Sequence, residues 1–163
     1  MNTITSIATA SALAIVTTFT GLQSPATTPA TAEAVMPLGN FSISLAVKDI
    51  KVSKAFYEKL DFKEVGGDLR QKWIILQNGT TTIGLFQGMF EKNIMTFNPG
   101  WNKDKETPND FKDIREIQTT LKERGIKLIT EADMTSKGPD NFVLADPDGN
   151  QILFDQHVAR PEK

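Results

Sequence analysis

The residues with the clearest capacity for chemistry lie near the end of the chain. Asp155 and His157 stand two residues apart. On a β-strand, successive side chains alternate faces, so residues i and i+2 point the same way. A carboxylate and an imidazole so placed can orient a ligand, share a proton, or hold a metal together with a partner chain. His157 is the single histidine, and there is no cysteine. That composition excludes thiolate nucleophiles, disulfides, iron–sulfur clusters and zinc fingers. It also excludes a two-histidine metal site within one chain, and any Ser–His–Asp triad would have to use His157. The expectation for the pair is contact with a ligand rather than catalysis, the alternative being two solvated side chains near a strand edge.

The rest of the composition narrows the function classes. The chain has 163 residues, 39% hydrophobic and 23% charged, with a net charge of −2. One domain with an ordinary core is expected. Lys and Arg are spread along the sequence, so nothing predicts nucleic-acid or anionic-membrane binding. Gly66-Gly67, Gly84 and Gly88 lack phosphate-loop spacing, so nucleotide binding has no support. Residues 1–34 differ from the remainder: Ala, Thr and Ser dominate, Glu33 is their only charged side chain, and Ala32-Glu33-Ala34 follows a Pro/Thr spacer. They read as a cleaved signal peptide or a disordered leader. The apolar stretch is too short and Thr-rich for stable membrane insertion. The domain would be periplasmic or secreted if the leader is removed, and cytoplasmic otherwise.

From Phe41 the pattern changes to structure. Phe41 to Val47 alternates apolar and small residues, as a half-buried strand does. Asp49 can cap a following helix, on which Val52, Phe56 and Leu60 form a stripe. Strands are expected at Asp61 to Gly67, Lys72 to Leu76 and Thr81 to Gln87, the last two joined by the Asn78-Gly79 hairpin. The second half repeats this order. It has a strand at Ile94 to Phe97, a long polar loop from Asn98 to Asp110, and a helix from Ile114 to Arg124. That helix has an Asp113/Glu116 capping box and Gly125 beyond its end. Strands follow at Lys127 to Thr130, Phe142 to Ala145 and Gln151 to His157, with the Asp146-Pro147-Asp148-Gly149 turn before the last. The fold class is therefore α+β: two βαβββ modules, about 41–88 and 93–157. They would pair into one domain over 41–158 with a cleft between two open sheets.

Three stretches carry a family resemblance. They are Ile43 to Asp49 followed by Ala55 to Phe62, then Leu121 to Ile126, then Ala145 to Phe154 with its Asp-Pro-Asp-Gly-Asn turn. Together they resemble the vicinal oxygen chelate superfamily, which includes glyoxalases, bleomycin-resistance proteins and extradiol dioxygenases. The resemblance spans Phe41 to His157. It implies paired βαβββ modules and often a homodimer, but it does not name a reaction. In metal-dependent relatives a His or Glu stands where this chain has Ser42, another at Gly84, and another at Asn93 or Ile94. The glutamate of the final strand corresponds to Leu153. None of these can supply a divalent-metal ligand set. No metal or other cofactor is therefore expected.

Strand period puts Phe41, Ile43, Leu45 and Val47 toward the core, and Ser42 and Ser44 toward the cleft. Leu153, Asp155 and His157 share the cleft face of the last strand. Four aromatics join the ligand-binding candidates. Phe86 is in phase with Gly84, and Trp101 sits in the long loop. Trp73 and Phe97 fit either the cleft or the core, the core reading being favoured for Trp73. The long loop would serve as a lid or a dimer contact.

Three functions are consistent with these residues. The first is a metal-free protein binding a small molecule in the cleft. The second is a lyase or dioxygenase of the glyoxalase type, its metal displaced to Asp155, His157 and Glu64 or Glu91. The third is an interaction domain using the loop. The first is favoured.

Overall fold

The computed structural model describes residues 35–162. The leader expectation falls on residues 1–34, outside the described residues. Eleven elements follow: β1 (Asn40–Val47), α1 (Ile50–Glu58), β2 (Lys63–Asp68), a 3-10 turn (Leu69–Gln71), β3 (Trp73–Asn78), β4 (Thr81–Gln87), β5 (Ile94–Asn98), α2 (Ile114–Glu123), β6 (Leu128–Thr130), β7 (Asp140–Ala145) and β8 (Gln151–Gln156). Apart from the 3-10 turn, this is β-α-β-β-β twice. No described helix is long and apolar enough to cross a membrane.

The two modules differ from the expected pair of facing sheets. They form one eight-stranded sheet in the order β2-β3-β4-β1-β5-β8-β7-β6. Within each module the first strand runs parallel to the last, β1 to β4 and β5 to β8. The modules meet where β1 pairs antiparallel with β5, from Asn40 opposite Asn98 to Ser44 opposite Ile94. Each module alone would leave its first strand as an open edge, and pairing the two edges removes both.

The helices cover one face of this sheet. Under α1, Ile50 packs with Ile74, Leu76, Ile83 and Leu85. Under α2, Ile114 and Ile117 pack with Phe142, Leu144 and Phe154. Each such side chain, fully removed from water, contributes about 1.5–3 kcal/mol. The alternation is strict on β3 and β4: Ile74, Leu76, Ile83 and Leu85 go to the core, so their neighbours must face the other way.

Helix ends follow local chemistry. Asp49 accepts from the backbone N–H of Lys51 and Val52. At the end of α2, Gly125 (φ +80°) donates to Lys122 and Ile126 donates to Leu121, the paired bonds of a left-handed helix stop. The α1 stripe is a correction. Val52, Phe56 and Leu60 are 67%, 58% and 50% exposed, and Ile50 and Tyr57 face the core instead. The helix is short and amphipathic on two sides, and strand contacts, not periodicity, select the buried one.

Arg115 is fully buried, which its charge would not suggest. Its guanidinium donates to the backbone carbonyls of Asp133 and Gly138 at 2.8 and 3.0 Å, and lies 3.4 Å from Asp113 and Asp140. A buried charge so surrounded keeps its hydrogen bonds and ties the segment before β7 to α2.

Candidate functional site

The face of the sheet away from the helices encloses a cavity of about 570 Å³. Its wall draws on β2, β3, β4, β1, β5 and β8. Six flat strands at about 4.8 Å spacing would span about 24 Å, so the sheet curls around this space.

The seam between the modules forms the floor. Ser42 and Ser44 of β1 face the cavity beside Thr96 and Asn98 of β5. The hydroxyls of Ser44 and Thr96 lie 3.1 Å apart, and Asn98 Nδ2 donates to the Asn40 carbonyl at 3.1 Å. These buried polar groups are therefore satisfied within the floor.

One end of the wall is aromatic. Trp73 stands opposite Phe86 across β3 and β4, rings nearly parallel at 9° with centroids 6.5 Å apart. Phe90 adds a tilted ring 5.2 Å from Phe86. The Phe86 ring occupies the space where a side chain at Gly84 would begin, so a Cβ there would collide with it. Trp73 thus lines the cavity, against the core position favoured from sequence. Phe97 does the reverse. It stacks on Phe154 at 5.3 Å on the helix-covered face, and it is not a wall residue. Its neighbours Thr96 and Asn98 take the cavity side, as strand alternation requires.

The other end holds Asp155 and His157. His157 lies just past β8, not within it. Its Nε2 is 3.3 Å from Asp155 Oδ2. The Trp101 ring stacks on the imidazole with centroids 4.2 Å apart, at 17°. Burial pushes the Asp155 carboxyl above its usual range, and the neighbouring His157 pulls it back. Both side chains and Trp101 line the cavity.

The long loop closes this end. Its turn is knitted by Asn102, whose Oδ1 accepts from the backbone N–H of Asp104 and Glu106. It docks on the first module through Gln77 Nε2, which donates to the Lys103 carbonyl at 2.7 Å, and through Lys105 Nζ, which donates to the Val65 carbonyl at 3.0 Å. Lys103 and Lys105 were not singled out from sequence, because loop lysines carry no periodic signal. Ile75, Met89 and Phe90 were also missed, although Ile75 could have been read from its phase with Trp73.

Residues 40–154 match the model of the Glyoxalase/Bleomycin resistance protein/Dioxygenase superfamily. The chain belongs to this superfamily. No curated protein sequence matches it. Among solved structures, a superfamily member from Vibrio splendidus 12B01 aligns at 18% identity and TM-score 0.51, covering 71% of this chain and 97% of that one. A Legionella pneumophila chain described as an NAD-dependent benzaldehyde dehydrogenase aligns at 18% identity and TM-score 0.54, with 72% and 98% covered. Streptomyces coelicolor methylmalonyl-CoA epimerase aligns at 14% identity and TM-score 0.51, with 75% and 99% covered. At these identities the likeness is one of fold.

The divalent metal associated with this superfamily does not fit the residues present. Ser42, Ile94 and Leu153 stand on the wall, and Gly84 lies beneath the Phe86 ring. The register ambiguity resolves to Ile94, since Asn93 Oδ1 accepts from the Ala46 backbone N–H outside the cavity. Among the described residues, no three His, Asp or Glu side chains converge. The displaced set is not assembled either: Glu64 pairs with Lys54 at 2.8 Å, and neither Glu64 nor Glu91 lines the cavity.

Proposed function

We propose that this domain binds a small, planar, largely apolar molecule in its cavity and needs no metal to do so. The observation that carries this reading is the Trp73–Phe86 wall, with the Phe86 ring lying over Gly84. Flat aromatic walls favour flat ligands, through dispersion and removal of apolar surface from water. A cavity of about 570 Å³ is in the range of small-molecule sites. The Ser44 and Thr96 hydroxyls pair with each other and Asn98 Nδ2 donates to the Asn40 backbone carbonyl, so a largely apolar guest leaves these buried groups partnered.

The test is direct titration of the full chain with naphthalene and indole, before and after EDTA treatment. It is followed by Trp73 fluorescence and calorimetry, with Trp101→Phe removing the second indole signal. Binding in the micromolar range that survives EDTA and weakens at least tenfold in Phe86→Ala is the expected result. Absence of binding at the solubility limit, or its loss on chelation, overturns the reading.

A further inference from the structure

The cavity wall changes character along the strands. At one level Trp73 faces Phe86, and Ile75 faces Gly84 beside Ser44 and Ile94. At the other, Gln77 faces Thr82, Ser42 faces Thr96, and Asn40 faces Asn98. Asp155 follows one residue beyond the Phe97–Phe154 pair, at this polar end. From Phe86 to Thr82 is four residues, or about 13 Å at about 3.3 Å per residue. That length accommodates a two-ring body and a head group.

The groups at the polar end are not equally available. Lys103 Nζ is held by both carboxylate oxygens of Asp104, at 2.7 and 2.6 Å. Lys105 Nζ donates to the Val65 carbonyl. Gln77 and Asn98 donate to backbone carbonyls. The amide oxygens of Gln77 and Asn98 are neutral acceptors, and Asp155 differs from them in being a carboxylate. Its Oδ2 meets His157, and among the described residues no protein donor meets its Oδ1. Its side chain is 32% exposed, on the cavity wall. Trp101 holds the imidazole from its face, so His157 stays beside Oδ2.

Resting on the binding reading above, we propose that the ligand carries a hydrogen-bond donor, a hydroxyl or an ammonium, which is received by the open oxygen of Asp155. A carboxylate accepts and does not donate, so it selects such heads. It also disfavours an anionic head, which would bring like charge beside it.

Four probes sharing one two-ring body test this on the full chain: naphthalene, 2-naphthol, 2-naphthylmethylamine and 2-naphthoate. The expected result is that at least one donor-bearing probe binds tenfold or more tighter than naphthalene, with naphthoate weaker than both. In Asp155→Ala, and in the near-isosteric Asp155→Leu should alanine disturb folding, that advantage shrinks to within threefold. Equal affinity of all four probes, an unchanged preference in the variants, or naphthoate binding tightest overturns the donor assignment and leaves the cavity reading intact. Binding of none of the four removes both.

Discussion

Gln156 Nε2 donates to Asp113 Oδ2 across 2.9 Å, joining the end of β8 to the N-cap of α2. The same amide accepts from the Ile114 backbone N–H at 2.8 Å and donates to the Val158 carbonyl at 3.1 Å. Gln156 is fully buried and lies between Asp155 and His157. Because alternate strand residues face opposite ways, clamping Gln156 on the helix side aims its two neighbours at the cavity.

Replacing Gln156 by Leu strands the Ile114 N–H in the interior and leaves Asp113 Oδ2 only its 3.4 Å contact with Arg115. The expected cost is about 1–3 kcal/mol in urea denaturation. A parallel change in near-ultraviolet circular dichroism should report the disturbed Trp101–His157 stack. A loss under about 0.5 kcal/mol, the range of ordinary surface substitutions, would show that the clamp is dispensable.

The Asp155 carboxyl gives a pH signature. Burial raises its titration above the usual 3.8, so the folded protein holds that proton more tightly than the unfolded chain. Stability from this group is present at low pH and lost as pH rises from about 3.8 through the raised value. Asp155→Asn has no charge to bury. Its stability relative to the parent should therefore climb across that window and level off above it, as read from urea midpoints. A difference that stays constant with pH contradicts this account.

Gly84→Ala puts a methyl group where the Phe86 ring now lies. The backbone there is unstrained, so the ring must swing away from Trp73. Expected are a shift in Trp73 fluorescence and a destabilisation of about 1–3 kcal/mol. The pair Gly84→Ala with Phe86→Leu should regain stability while still lacking the aromatic wall. Failure of the second change to restore anything would place the strain elsewhere.

Helix α1 provides a contrast between two apolar residues. Ile50→Ala removes a core side chain and should cost about 2–5 kcal/mol. Phe56→Lys changes a ring that is more than half exposed, and should stay within about 0.5 kcal/mol. Equal losses in thermal or urea unfolding would mean the Phe56 face is covered in solution.

Sequence patterns reached the element order because strand alternation and helix caps are local signals. The caps at Asp49 and Asp113 and the stop at Gly125 are written in two to six residues each. The sides taken by Ser42, Ser44, Asp155 and His157 also followed from period alone. What failed needed tertiary information. Phe56 and Ile50 are equally apolar, and only the position of β4 decides which is buried. Phe97 and Trp73 were both ambiguous until the β5 and β3 registers placed one behind the sheet and the other in front. The joining of β1 to β5 pairs residues fifty or more positions apart in chain, and no local pattern encodes it.

That joint also bears on traffic. The ladder from Asn40–Asn98 to Ser44–Ile94 is at once the connection between the modules and the cavity floor. Parting the modules would tear open their shared ladder, so a clamshell motion is a poor doorway. The loop carrying Trp101 closes the polar end with a ring stack and three hydrogen bonds to the first module, one of them from the Asn40 backbone N–H to the Trp101 carbonyl at 3.0 Å. Far less has to break for that loop to lift. On the binding reading proposed above, a few contacts at the rim would govern how long a guest stays, and substitutions there should alter its residence time more than how snugly it fits.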